Sequence, residues 1–311
     1  MNDLQKQKIV EAIAKEERRL GSARAVANKC DVSAATISQM KNAKWELIRQ
    51  SLWQKVAARL GVAYSQWQIA PDITNTRTLT QVFSDAKNDR LFIAVSHKAG
   101  SGKTEAAKQY AAQHTDQAVY FTQAREWAKR EFLLNAFQTF GIETPRGIVS
   151  IDKLGQRLID FFNERVHLSP VWIIDEADKL KPSALRFIIT FYNQLEDKAG
   201  MVILGTDALK KEINRGVRLN KKGYDEIASR FGRNFISLVG ATKSDVYAIC
   251  RANGIEDKQK ATDIFNEAQP VQVKVEHTGG ISFIKVVEDF RRIKRIIKRE
   301  LIKQRRYEKT A

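Results

Sequence analysis

The stretch Ser96-His-Lys-Ala-Gly-Ser-Gly-Lys-Thr104 constrains the fold more than any other part of the chain. It follows the apolar run Leu91-Phe-Ile-Ala-Val95 and opens into Glu105-Ala-Ala-Lys-Gln-Tyr110, which reads as a helix. A strand, a glycine-containing loop ending Gly-Lys-Thr and a helix form the context of a phosphate-binding loop. In such a loop the backbone of Ala99, Gly100, Ser101, Gly102, Lys103, Thr104 and Glu105 surrounds the phosphates, and the helix N-terminus adds its partial positive charge. Lys103 is expected to reach the β- and γ-phosphates of ATP, and Thr104 to offer its hydroxyl to Mg²⁺. The first position of the full pattern is glycine, and here it is His97. The motif therefore needs a partner elsewhere in the chain.

That partner is Val171-Trp-Ile-Ile-Asp-Glu-Ala-Asp178, about 70 residues later. Four apolar residues predict a strand buried on both faces, as in a parallel α/β sheet, and they end in adjacent carboxylates. Asp175 is the candidate for the Mg²⁺ shell, and Glu176 the candidate to orient and polarise the attacking water. Between the motifs, Ala118-Val-Tyr-Phe121 reads as a strand, and helices are expected near 124–140 and 151–166. Beyond them come a helix near 183–196 and the strand Met201-Val-Ile-Leu204, which ends at Gly205-Thr206-Asp207, where a polar side chain can hydrogen-bond the γ-phosphate or the water. The segment Glu226-Ile-Ala-Ser-Arg-Phe-Gly-Arg233 precedes a fifth strand expected at Phe235-Ile-Ser-Leu238.

Flanking segments have a different character. Leu4, Ile9, Ile13 and Leu20 predict a first helix. Ser22 is a candidate N-cap for Ala23–Cys30, Asp31-Val32 a tight turn, and Ser33 a cap for Ala34–Lys41. Leu47, Leu52, Val56 and Leu60 continue at helical spacing, Trp45 and Trp53 read as core, and Gly61 is a helix stop. Periodicity fails around Pro71, which marks a linker at 69–77. The expected domains are 1–68, all-helical; 78–240, nucleotide-binding; and 241–311, a helical lid. In the lid Phe283, Val286, Val287, Phe290, Ile293, Ile297 and Leu301 read as one apolar stripe of a long helix. From Lys285 to Lys309 eleven basic residues face four acids.

The whole chain of 311 residues carries a formal charge of +17 and a pI near 9.8. Such a surplus favours a polyanionic partner, because each cation near a phosphate can release a condensed counterion. The two cysteines, Cys30 and Cys250, have no ligand spacing around them, which argues against a disulfide framework or a zinc site and for a reducing cytoplasm. His114, His167 and His277 are scattered. No apolar run approaches the roughly 20 residues that span a bilayer, so no membrane partner is expected.

The segment 22–41 resembles the helix-turn-helix of phage repressors. On that resemblance Ser33, Ala34, Thr36, Gln39 and Lys41 face the major groove or its flanking phosphates. The order of motifs from 96 to 238 resembles an AAA+ ATPase core, so the implied fold is a P-loop AAA+ parallel α/β sheet between an all-α helix-turn-helix domain and a helical lid. The resemblance makes Thr206 a sensor and Arg230 an arginine finger acting on a neighbouring subunit's nucleotide, with Arg233 in reserve. It therefore implies a homo-oligomer, ring or filament. A second sensor arginine would fall in Gly279-Gly-Ile-Ser282, where Ser282 stands instead. Arg125, Lys129 and Arg130 lie on the face such assemblies turn to DNA. Over nearly its full length the chain resembles phage Mu B-type proteins, transposition accessory ATPases that coat double-stranded target DNA and deliver it to a transposase. The same engine also serves helicase loaders and replication initiators, and a nucleotide-switched helix-turn-helix regulator is a third reading.

Overall fold

The computed structural model describes residues 3–310 other than 63–66, 68, 71, 115–116, 146 and 278–279, with the backbone alone at 3–5, 276–277, 305 and 307–310. At its centre lies a parallel four-stranded sheet in the order β1 (Phe92–Ser96), β4 (Gly200–Gly205), β3 (Val171–Asp175) and β2 (Val119–Gln123). Strand alternation sends Trp172 and Ile174 to one face and Val171 and Ile173 to the other, and every residue of β3 is buried. Two of the helices, α5 (Thr74–Asn88) and α6 (Lys103–Gln113), cover the second face through Leu79, Phe83, Ala107 and Tyr110. The first face is covered by α7 (Lys129–Phe140), α8 (Ile151–Asn163), α9 (Pro182–Leu195), α10 (Asp207–Arg218) and α11 (Tyr224–Arg230). There Phe132 stacks on Trp172 at 5.1 Å between ring centres, with Phe140, Phe162, Phe187 and Phe191 fully buried around the pair.

The expected fifth strand at 235–238 is reduced to one bridge. Ile236 lies beside the outer edge of β1, accepting a hydrogen bond from Ser96 and donating one to Ala94 (3.0 and 2.8 Å). Asn75 explains why pairing stops: its side-chain oxygen accepts from the amides of Val239 and Gly240 (3.2 and 3.0 Å), drawing the chain away toward the lid.

The expected linker is not one. Its residue Pro71 lies outside the described residues, but Ala70 and Ile73 are buried among lid residues, and α5 already begins at Thr74. The lid contains α12 (Lys243–Ala252) and α13 (Lys258–Glu267), then a hairpin of β5 (Val271–His277) and β6 (Gly280–Val286), and finally α14 (Phe290–Thr310). The hairpin corrects the long-helix reading. Phe283 and Val286 belong to β6, and only Phe290, Ile293, Ile297 and Leu301 share the stripe on α14. Residues 283, 286, 287 and 290 mimic a helical period by coincidence, while the alternation of Val271, Val273 and Val275 was the true signal.

The N-terminal domain comprises α1 (Asp3–Leu20), α2 (Ala23–Cys30), α3 (Ala34–Lys41), a short 3-10 turn at Trp45–Leu47 and α4 (Gln50–Leu60). Ser22 and Ser33 cap α2 and α3 through their side-chain oxygens, and Asp31 takes the left-handed conformation that the turn requires (φ 53°). Trp53 is fully buried with Trp45 edge-on at 5.9 Å. The domain is seated on the outer strand β2 and on α7. Arg19 donates to the carbonyl of Val119 (2.8 Å), and Gly141 lies so close to Ala25 that a Cβ there would meet its carbonyl at 2.7 Å. Glu16 joins Arg19 and Lys29 (2.5 and 2.7 Å) in a poorly exposed cluster. Burial pushes its carboxyl up, but the two cations outweigh burial and hold it at about 2. A lowered carboxyl contributes stability that is complete above its ordinary value near 4.5 and is lost as pH falls toward 2. Glu16→Ala leaves two cations uncompensated in a desolvated contact and should lower the unfolding free energy by about 3 kcal/mol. Urea melts at neutral pH measure this. A variant as stable as the parent removes the cluster from any role in domain seating.

Candidate nucleotide-binding site

All strands of the sheet end on one side, and the sequence motifs end with them. Ser96 is level with Gly205 across β1 and β4, and Gln123 is level with Asp175 across β2 and β3. Ligands bind at this carboxyl edge in open α/β sheets. The loop after β1 turns through Gly100 and Gly102, both left-handed (φ 85° and 90°). A Cβ on Gly100 would fall 2.1 Å from the Asp289 carboxylate, and one on Gly102 would fall 3.2 Å from the Phe290 ring. Both glycines are thus favoured by the backbone, and a Cβ at either would press on a residue at the start of the lid's last helix. Lys103 begins α6 and donates its ammonium to the carbonyls of His97 and Lys98 and to the Ser101 hydroxyl (2.6, 3.0 and 3.0 Å), so its charge is held inside the loop. Burial pulls the Lys103 ammonium below its ordinary range. His97 has no positive φ, so its position does not require glycine. It serves through its backbone, whose amide donates to Gly205 (3.2 Å).

Thr104 donates its hydroxyl to Asp175 at 2.6 Å, which brings the two predicted Mg²⁺ ligands together. A hydroxyl and a carboxylate beside a phosphate cradle are a donor set that suits Mg²⁺, an ion that takes few protein ligands and completes its shell from phosphates and water. Burial raises the Asp175 carboxyl, and the Thr104 hydrogen bond opposes that shift. Glu176 sits in the left-handed region (φ 55°), a backbone cost of order 1 kcal/mol that aims its carboxylate beside the loop, where Lys179 meets it at 2.7 Å. The Thr206 hydroxyl caps α10 and donates to Asp178 (2.7 Å). Asp178 closes the same acidic motif and lines the cavity, a position that only the fold shows.

One cavity of about 390 Å³ is lined by every predicted loop residue from Ala99 to Glu105 and by Asp175, Glu176 and Thr206. Its other walls were not anticipated. Ile69, Ala70, Ile73 and Ile249 give it an apolar side, and Phe290, Arg291 and Lys294 bring in the start of α14. The Phe290 amide donates to the Gly100 carbonyl (2.9 Å), fastening the lid to the phosphate loop. Asp289 caps α14 by accepting from the Arg291 amide (2.9 Å), Lys294 lies over the Trp67 ring at 5.1 Å, and both cations border the cavity. The expected second-sensor position lies earlier in the chain, at Ser282. Gly279 lies outside the described residues, and Ser282 pairs with Val275 in the hairpin, away from the cavity.

A family model described as "AAA domain" matches residues 86–211, which span the phosphate loop, the acidic strand and Thr206. This core has the AAA+ P-loop fold. No curated protein matches the chain. Among solved structures it is similar to Cdc6p from Pyrobaculum aerophilum, with 15% sequence identity and a TM-score of 0.44, covering 61% of this chain and 52% of that one. The chain thus spans about half the length of that protein.

The remaining candidates lie elsewhere. Arg230 does not line the cavity. It packs over the Tyr192 ring at 4.6 Å and donates to Asn193 at 3.0 Å. Arg233 pairs with Asp225 (2.9 Å). In the helix-turn-helix Ser33 is exposed and Gln39 partly so, whereas Lys41 pairs with Glu17. Thr36 is corrected: it is buried, its hydroxyl shared with Ser33 (2.9 Å), and it braces the turn instead of facing a groove. Arg125 is exposed in the loop before α7, not on the helix as expected. Lys129 lies over the Phe187 ring near Asp152, and Arg130 donates to the Val149 carbonyl (2.7 Å).

Asn75 falls in the expected linker, yet it is buried and donates to the Ser101 carbonyl (3.0 Å) while accepting two amides from the lid side. Asn75→Ala leaves those groups unpaired and should cost about 3 kcal/mol and loosen the loop. Thermal melts and titration with a fluorescent ATP analogue check it. Unchanged nucleotide affinity would separate Asn75 from the site.

Proposed function

We propose that this chain is an ATP-hydrolysing AAA+ protein that binds double-stranded DNA with little sequence preference, assembles on it as a ring or filament, and acts as a transposition accessory protein that presents target DNA to a transposase. The observation that carries the enzymatic part is the meeting of Lys103, the Thr104–Asp175 pair and Glu176 on one cavity. Mg²⁺ held by Thr104 and Asp175 would neutralise charge on the β- and γ-phosphates. Lys103 binds the same phosphates, Glu176 orients water and takes its proton, and Asp178 fixes the hydroxyl of Thr206 beside them. The apolar side formed by Ile69, Ile73 and Ile249 suits a nucleobase, and Arg291 and Lys294 suit its phosphates.

The DNA part is supported by the +17 charge and by a helix-turn-helix with Ser33, Gln39 and Lys41 on its second helix and cap. The succession of helix-turn-helix, AAA+ core and basic lid favours the Mu B-type reading. Helicase loading or replication initiation would use the same engine with another partner. Electron microscopy with ATP and duplex DNA of random or origin-like sequence divides them: assemblies that form on any sequence support the transposition reading, and origin-specific assemblies overturn it.

Arg230 is the trans-acting residue in this scheme. Glu176→Gln should keep ATP binding while phosphate release falls at least about a hundredfold. Normal turnover in that variant would take the catalytic role from Glu176. Arg230→Ala should also turn over slowly, but mixing the two variants should recover activity, because an Arg230→Ala site then meets the intact Arg230 of a Glu176→Gln neighbour. A mixture no more active than its parts would mean that Arg230 does not act across subunits.

A further inference from the structure

A second cavity, of about 270 Å³, opens between the helix-turn-helix domain and the AAA+ core. Its charged lining is Lys29 from α2, Arg59 from α4 and Arg125 from the loop after β2, and no carboxylate lines it. The other polar walls include Gln123, Asn135 and Gln138, neutral amides that can donate. The nearest acid in contact with this set is Glu16, which bonds Lys29 but is already shared with Arg19. Arg59 donates to the neutral oxygen of Gln138 (3.1 Å). Arg125 is exposed and also borders a neighbouring recess that Glu126 and Glu176 line. Two domains therefore direct guanidinium groups at one polar space whose own lining holds no carboxylate. Holding like charges together costs energy that an anion relieves, and guanidinium groups match the oxygens of a phosphate in geometry.

We propose that this interdomain cavity is a phosphate-binding site that holds one backbone phosphate of duplex DNA between Arg59 and Arg125, with Lys29 beneath. The inference rests on the DNA-binding reading and deepens it. Three features favour a phosphodiester over a free nucleotide. The charged and amide lining is suited to oxygens, the chain is strongly basic, and Lys29 ends the helix that in a helix-turn-helix crosses the DNA backbone. Gln123 borders both this cavity and the nucleotide site, so a phosphate held here lies next to the ATP machinery.

The test is binding of a random-sequence duplex by the full chain with ATP, by fluorescence anisotropy across a salt series. Arg59→Ala and Arg125→Ala should each weaken binding about three- to tenfold and reduce the salt slope by about 0.9, one phosphate's worth. Since both hold the same phosphate, the double variant should be no worse than either single one. Gln138→Glu, which adds a carboxylate and removes no cation, should weaken binding similarly and covers the case of a variant that fails to fold. Unchanged affinity in these variants overturns the inference while leaving DNA binding intact, and so does an additive double variant whose slope falls by about 1.8, because two phosphates are then involved. Titration with inorganic phosphate at constant ionic strength forms the second arm. Phosphate binding that the variants lose, with duplex affinity unchanged, assigns the cavity to a small phosphate ester instead. A parent protein that binds no duplex overturns the DNA-binding reading itself.

Discussion

Two buried side chains tie the nucleotide loop to the lid. Asn75 joins the Ser101 carbonyl to the amides of Val239 and Gly240, and Asp245 accepts from the first amide of α5 and from the amide and hydroxyl of Thr242. One carboxylate thus caps two helices, α5 and α12, in place of the side-chain cap that Ile73 cannot supply. Loop, first helix of the core and lid are consequently held by the same few hydrogen bonds. Moving the lid without disturbing the phosphate loop would leave some of these buried groups unpaired, at about 1–3 kcal/mol each. The lid is in this sense part of the site, which agrees with Arg291 and Lys294 lining the cavity.

Elements dictated by local rules were legible in the sequence. The sheet strands are apolar runs, the helix-turn-helix carries its caps at Ser22 and Ser33, and the phosphate loop with its acidic partner needs only neighbouring residues to be read. What escaped depends on distant partners. Asn75 looks like any polar residue until the amides from 239 and 240 arrive. The fifth strand has strand-forming residues, yet pairing also depends on where the chain is drawn afterwards. The hairpin hides in the sequence because four apolar residues, Phe283, Val286, Val287 and Phe290, fall at helical spacing across the end of a strand, a bridge and the start of α14. Arg291 and Lys294 were visible only as members of a basic run, and folding alone distinguishes the cations that meet the nucleotide cavity from those bound elsewhere. Arg299, for instance, is spent on Glu267.

The same sorting applies to the +17 charge. Lys41, Lys55, Lys98 and Arg233 are each paired with a carboxylate, and Arg130 and Arg165 with a carbonyl. Exposed pairs of this kind contribute little to stability, but they decide which cations are available to a polyanion. A basic composition predicts the class of partner, and the pairing pattern narrows where that partner can touch.

Strand β2 gives this distribution a mechanical meaning. It is the sheet's outer strand, and its first residue, Val119, is gripped by Arg19 of the helix-turn-helix domain. Its last, Gln123, reaches the nucleotide cavity level with Asp175. Five residues of extended chain, about 13 Å from first Cα to last, thus separate the seat of the N-terminal domain from the phosphate-loop cavity. An uncovered outer strand would invite pairing with another chain, and the seated domain covers part of that edge while resting on the strand that ends at the ATP site. A contact that shifts the N-terminal domain therefore bears on β2 at Val119, and the far end of the same strand lies at Gln123, level with Asp175.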